Sequence, residues 1–165
     1  MSELPVHLIE IREATVEDVP VILSFIKVLA EYEKLSHDVT ADEETLRESL
    51  FGTKSSAKSL LASYDGESAG FALYFFNFSS FTGKRGLYLE DIFVKPEYRK
   101  HGIGTALLKK LAQVAQKEDV PKLEWVALKW NAPAIDFYSG LGAVAMDEWT
   151  VFRLQGEKLK RLSSS

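Results

Sequence analysis

The segment Arg99-Lys100-His101-Gly102-Ile103-Gly104 joins an apolar strand ending near Val94 to a helical stretch, and it narrows the fold more than any other feature. Pro96 stops the strand because it has no N–H to give the ladder. Ile103, Leu107, Leu111, Val114 and Ala115 then recur at helical spacing as far as Lys117. Strand, glycine turn and helix in that order bring the free N–H groups of a first helical turn, and the positive end of the helix dipole, to the loop. This is an anion site, suited to the pyrophosphate of a nucleotide cofactor. A tight strand-to-helix connection without a ligand would use the same two glycines. The segment is too short for a Walker A loop and lacks the third glycine and downstream acid of a dinucleotide fingerprint.

The rest of the chain supplies a sheet for that unit. Leu8 to Ala14 reads as a first strand, and Thr15 with Asp18 forms a capping signal for a helix carried by Val19, Ile22, Leu23, Ile26 and Leu29. Thr40 with Glu43 reads as the capping box of a second helix, which Gly52 ends. Strands at 59–64 and 69–78 join through Asp65-Gly66, a dipeptide suited to a hairpin turn with positive φ. The strand at 87–94, the helix at 102–117 and a buried strand at 122–128 follow. Pro133 suits the first turn of another helix, closed by Gly142 after Leu141, and 144–146 and 150–154 read as final strands. The order is β-α-α-β-β-β-α-β-α-β-β, an α/β chain with a mixed central sheet flanked by helices. One domain over 1–165 is expected, with its core at 8–155 and a flexible tail at 160–165.

Composition excludes several functions. The chain of 165 residues has no cysteine, so disulfides, thiolate nucleophiles and cysteine metal sites are ruled out. His7, His37 and His101 show no ligand spacing, and no metal is expected. The start Met1-Ser2-Glu3-Leu4-Pro5 lacks the basic and apolar regions of a secretion signal, and the longest apolar run is Phe71 to Phe76. A cytoplasmic protein without a membrane span is expected. A net charge of −4 disfavours nucleic acid and suits a cationic small substrate.

The run Ile92-Phe93-Val94-Lys95-Pro96-Glu97-Tyr98-Arg99-Lys100-His101-Gly102-Ile103-Gly104 resembles the acetyl-CoA signature of the GNAT superfamily of N-acetyltransferases, [RQ]-x-x-G-x-[GA] after a central strand. Matches at Ile11-Arg12-Glu13-Ala14, 30–35, Leu87-Tyr88-Leu89-Glu90-Asp91, Trp130-Asn131, Phe137-Tyr138 and Leu141-Gly142-Ala143 look like its diamine and thialysine acetyltransferase subgroup. The resemblance covers nearly the whole chain. It implies the GNAT fold, with acetyl-CoA as cosubstrate, and direct transfer to the primary amine of a small cation in a ternary complex.

By the same resemblance, backbone groups of Phe93 and Val94 hold the pantetheine arm in a splayed notch between strands. An N–H there polarises the thioester carbonyl. Arg99, Lys100, His101, Gly102, Ile103, Gly104 and Thr105 take the pyrophosphate, and Asn131, Pro133 and Phe137 line the cofactor's other side. Phe137 also fits core packing, and Asn131 a helix N-cap. An alkyl ammonium, with a pKa of about 10.4, must lose a proton before it attacks. Glu90 is assigned that proton path and Asp91 amine recognition, with the roles open to exchange; on a regular strand the two face opposite ways unless a bulge intervenes. Tyr138 matches the general acid for the leaving thiolate.

Tyr32 and Glu33 match acceptor-contacting positions, and Trp125 and Phe81 are candidates for the same pocket. Phe81 stands where such relatives carry tryptophan, and the segment after Ala143 is shorter than in polyamine-acetylating relatives, which argues against long polyamines. Lys34-Leu35 and Leu154-Gln155-Gly156-Glu157 look more like the thialysine branch. The resemblance also implies a homodimer. The competing readings are a protein or peptide amine acetyltransferase and a non-catalytic acyl-CoA-binding regulator.

Overall fold

A computed structural model describes residues 7–165, and the stretch Met1–Pro5 lies outside the described residues. The chain divides into two compact units, one ending at Val126 and one spanning Ala127–Ser165.

The first unit is a five-stranded sheet in the order β1-β2-β3-β4-β5: β1 Ile9–Glu13, β2 Lys58–Tyr64, β3 Glu67–Ser79, β4 Lys84–Val94 and β5 Leu123–Glu124. The first four strands pair antiparallel, and β5 runs parallel to β4. Asp65 and Gly66 take φ of 50° and 83°, the pair of positive values that a two-residue turn between right-twisted strands requires. Three helices cover the sheet: α1 Val19–Tyr32, α2 Glu43–Phe51 and α3 Ile103–Lys117.

Side chains alternate across a strand, so the two sheet faces build separate cores. Leu61, Phe71, Leu73 and Phe93 meet Ile22 and Phe25 of α1 and Leu50 of α2, with Phe25 stacked on Phe71 at 5.1 Å. The intervening residues, including Leu60, Ala72, Leu87 and Leu89, are buried on the α3 side with Ile103, Leu107 and Leu111.

Both N-terminal caps form, one of them shifted. Thr15 and Asp18 make a capping box, which initiates a short 3-10 turn before α1. The Asp18 carboxylate also accepts from Arg12 at 2.7 and 2.8 Å, and this hydrogen bond holds its pKa down at about 2. Asp18→Ala is expected to lower stability by about 1–2 kcal/mol at pH 7. The loss is complete above the unfolded pKa near 4 and shrinks as pH falls toward 2, which urea melts at pH 7 and pH 3 will show. The box read as Thr40 with Glu43 forms instead at Asp42 and Thr45, because Asp42 Oδ1 accepts the Thr45 N–H at 2.8 Å and a carboxylate is the stronger acceptor at a helix start.

The second unit holds α4 Ala132–Gly140 and α5 Gly156–Ser164. Pro133 sits in the first turn of α4, Asn131 is its N-cap, and Gly142 follows its end at φ 91°. The expected strands at 144–146 and 150–154 do not form, and the strand at 122–128 shortens to β5. A strand exists only by pairing with another edge, and no ladder pairing includes these residues among the described residues. Val144, Met146, Val151 and Phe152 stay 60–92% exposed. The expected tail at 160–165 is helical to Ser164, since Glu157 in the first turn and Arg161 in the last complement the helix dipole. Among the described residues, no helix is long and apolar enough to cross a membrane.

Candidate functional site

A bulge in β4 is the centre of the site. Leu89 pairs with Tyr74 and Asp91 with Leu73, so Glu90 has no partner across the ladder. One extra residue reverses the alternation. Leu87 and Leu89 are buried toward α3, whereas Asp91 and Phe93 fall on the α1 side with Leu73 and Phe71. Glu90 remains exposed and Asp91 is mostly buried beside it. Burial first, then the neighbouring charges of Glu90 and Glu33, push the Asp91 pKa up to about 6. Proximity of the two acids, excluded on a regular strand, is thus restored by the bulge.

Glu33 arrives at this carboxylate from α1. Lys34 takes φ 60°, its N–H bonds the Glu31 carbonyl at 3.0 Å, and the Leu35 N–H bonds the Ala30 carbonyl at 2.8 Å. That is a Schellman end with lysine where glycine is usual, and it sets Tyr32 and Glu33 at the close of the helix. Burial raises the Glu33 pKa. Tyr88, two residues before Glu90, is a member of the site that sequence reasoning missed; burial and then the charges of Glu90 and Glu124 keep its phenol protonated by raising its pKa. Its spacing of two from Glu90 was the available signal.

β4 has an open edge beyond its short pairing with β5. Pairing between β4 and β5 is confined to Leu87 with Leu123 and Tyr88 with Glu124, so β4 from 89 to 94 has no β5 partner. Lys95 bonds back to the Ala69 carbonyl at 2.9 Å, and alternation along the ladder turns the backbone groups of Val94 toward the open edge. Its carbonyl accepts from Arg99 Nε at 2.9 Å, leaving the Val94 N–H as the donor at the notch. Trp125, half-buried, directly follows β5.

At the end of β4 the chain turns through Lys100 at φ 65° and Gly102 at φ 86° into α3, whose first helical bond is Ala106 N–H to the Gly102 carbonyl at 2.9 Å. The N–H groups of Ile103, Gly104 and Thr105 precede that bond and have no acceptor within the helix. The loop is braced from behind. The Arg99 guanidinium lies 5.2 Å from the Tyr32 ring and 5.6 Å from that of Phe93, so the side chain expected at the pyrophosphate also ties the loop to α1. His101 turns its ring to Tyr64, with Nδ1 and the hydroxyl hydrogen-bonded at 3.3 Å, and His7 stacks on Tyr64 at 5.0 Å. His101 therefore serves the loop through its backbone. Sequence offered no sign of this cluster, whose members lie more than thirty positions apart.

Phe81 is not brought to Asp91 within the chain. It is 98% exposed between β3 and β4. From Lys84 to Asp91, β4 rises roughly 20 Å at about 3.3 Å per residue. The hairpin that carries the aromatic is too long for its tip to return to the strand's far end. Asn131, Pro133, Phe137 and Tyr138 all belong to α4 or its cap, with the Phe137 and Tyr138 rings 5.6 Å apart.

A central strand with a carboxylate bulge, an open edge and a glycine turn feeding a helix is the arrangement that the sequence resemblance implies for an acyl-CoA-dependent acyltransferase. The profile of the Acetyltransferase (GNAT) family matches residues 24–143, and the chain belongs to that family of N-acetyltransferases. The family takes acetyl-CoA as cosubstrate. The chain is 43% identical over 164 residues to the thialysine N-epsilon-acetyltransferase of Bos taurus, covering 93% of this chain and 96% of the relative. It is 32% identical to the L-ornithine N5-acetyltransferase of Arabidopsis thaliana, covering 92% and 86%. Among solved structures, the integron cassette protein VCH_CASS6 of V. cholerae superposes with a TM-score of 0.78 at 29% identity, covering 95% of this chain and 98% of that one.

Proposed function

We propose that this acetyltransferase acetylates the side-chain amine of a short cationic amino acid of the thialysine, lysine or ornithine type, with the Glu90–Asp91 pair as proton acceptor. The observation that carries this reading is the Asp91 carboxyl, buried in the bulge beside the open notch and titrating near pH 6. Acetyl-CoA supplies the acetyl group as a thioester. The turn from Lys100 to Thr105 fits its diphosphate, because a Cβ at Gly102 would meet nothing within 4 Å, so the approach is open. The Val94 N–H is the donor for the thioester carbonyl.

Glu33 and Asp91 attract the ammonium, with the Tyr32 ring beside them. A proton passes from the ammonium to the carboxylate pair, directly or through water, and the neutral nitrogen attacks the thioester carbon. The tetrahedral adduct collapses with cleavage of the C–S bond, Tyr138 gives its phenolic proton to the departing thiolate, and the extra proton on the adduct nitrogen passes to the Tyr138 phenolate to leave the neutral amide. Names of the relatives support the acceptor class: both act on an amine at the end of an amino-acid side chain. The unpaired apolar residues Val144, Met146, Val151 and Phe152 favour a homodimer in which a second copy covers them, and the exposed Phe81 then becomes available to the partner's site. Cytosolic substrates suit a chain without cysteine.

Coenzyme A release measured over thialysine, lysine, ornithine, putrescine, spermidine and a lysine peptide tests the proposal. The highest kcat/KM is expected for one of the three amino acids. A preference for spermidine or the peptide would overturn the acceptor assignment, and no turnover with any amine despite acetyl-CoA binding would leave a regulator. Glu33→Gln is expected to raise the KM for the amine about tenfold with little change in kcat, an effect that shrinks in high salt.

A further inference from the structure

The α3 face of the sheet carries a cavity of about 310 Å³ at the end away from the glycine turn. Strand register places Glu13, Lys58, Tyr74, Phe76 and Arg85 on one face. Opposite them stand Lys110, Gln113, Val114, Lys117 and Glu118, one stripe of α3 at helical spacing.

The charges do not cancel. Arg85 donates to Glu118 at 2.8 Å and lies 4.3 Å from the Phe76 ring, so that pair is closed. Among the described residues, Lys58, Lys110 and Lys117 have no ion-pair partner, and Glu13 offsets only one of them. Two positive charges remain uncompensated in a chain whose net charge is −4. The floor of the cavity is Tyr74, 2% exposed, whose phenol feels Glu13 and Glu118 from the cavity wall and has no hydrogen-bond partner among the described residues. Asn77 Oδ1 is the buried side-chain polar atom without a partner among the described residues, so the Tyr74 hydroxyl meets solvent in the cavity and is open to a ligand oxygen.

We propose that this cavity is a second binding site, for a small organic anion of two or more negative charges, whose oxygens meet Lys58, Lys110 and Lys117 and take the Tyr74 O–H. The site lies along the C-terminal half of α3. Lys117 is at the opposite end of that helix from Gly102, about 22 Å away at 1.5 Å per residue. The ligand is therefore separate from both substrates.

Calorimetric titration of the full chain saturated with coenzyme A, which keeps the glycine turn filled, tests this. One arm uses citrate and the other inorganic pyrophosphate, to separate a carboxylate ligand from a phosphate one. Saturable 1:1 binding is expected in at least one arm. It should weaken about a hundredfold in Lys110→Gln/Lys117→Gln and several-fold in Tyr74→Phe, with coenzyme A affinity unchanged in both variants. The lysines are on the helix surface and Tyr74→Phe keeps the ring, so the variants keep the fold. No saturable binding in either arm, or equal affinity in the double variant and the wild type, overturns the proposal.

Discussion

Asp91→Asn is expected to lower kcat at pH 7 by about 10²- to 10⁴-fold while making the protein more stable. The two effects have one cause. In the unfolded chain an aspartic acid titrates near 3.8, and in the fold Asp91 titrates at about 6. The native state therefore binds the extra proton between those values, and holding the group ionised costs stability as pH rises through the window. Below about pH 4 there is no penalty. Above pH 6 it is complete, on the order of 3 kcal/mol. Asparagine removes it, so the melting temperature should rise by several degrees at pH 8 and not at pH 3.5. A residue needed only for folding would lose activity and stability together. Glu90→Gln supplies the companion result: its charge is one cause of the raised Asp91 pKa, so the acidic limb of the kcat/KM profile should move to lower pH as kcat falls. An unmoved limb would remove Glu90 from the proton path.

Gly102→Val is expected to raise the acetyl-CoA KM and Kd by about 100-fold or more, with the amine KM nearly unchanged. At φ 86° a β-branched residue is strained by roughly 1–3 kcal/mol. Relief requires the turn to move, and with it the N–H groups of Ile103, Gly104 and Thr105 that the proposal assigns to the diphosphate. Breaking each charge-assisted hydrogen bond to the diphosphate weakens binding by about 1.5–3 kcal/mol. Because a Cβ there meets no other atom, the weakening does not come from a clash in the core. Equilibrium dialysis with acetyl-CoA reads the effect directly. Equal affinity in the variant would mean that the diphosphate lies elsewhere.

The parts of this enzyme that follow local rules were legible in its sequence. Asp65-Gly66 specifies its turn through two positive φ angles, and the helical spacing from Ile103 to Ala115 specifies which side of α3 is buried. The turn into α3 was legible because glycine and an adjacent helix start are both written in the chain. What escaped depends on partners remote in sequence. The bulge at Glu90 arises from how β4 registers against Leu73 and Tyr74, and a strand read alone shows only an alternation that would separate the two acids. The brace of His101 on Tyr64 crosses 37 positions. The segments at 144–146 and 150–154 have the residues of strands but pair with no other strand among the described residues, so pattern alone overstated the sheet. Lys34 in a left-handed helix end also breaks the glycine rule that pattern reading relies on.

A crystal structure of the protein with coenzyme A tests the account at its centre. The expected result has the diphosphate on the N–H groups of Gly102 to Thr105 and the sulfur at the open edge of β4, within reach of the Val94 N–H and of the Glu90–Asp91 pair. A diphosphate bound away from that turn, or a sulfur on the opposite side of the sheet from Asp91, would contradict it.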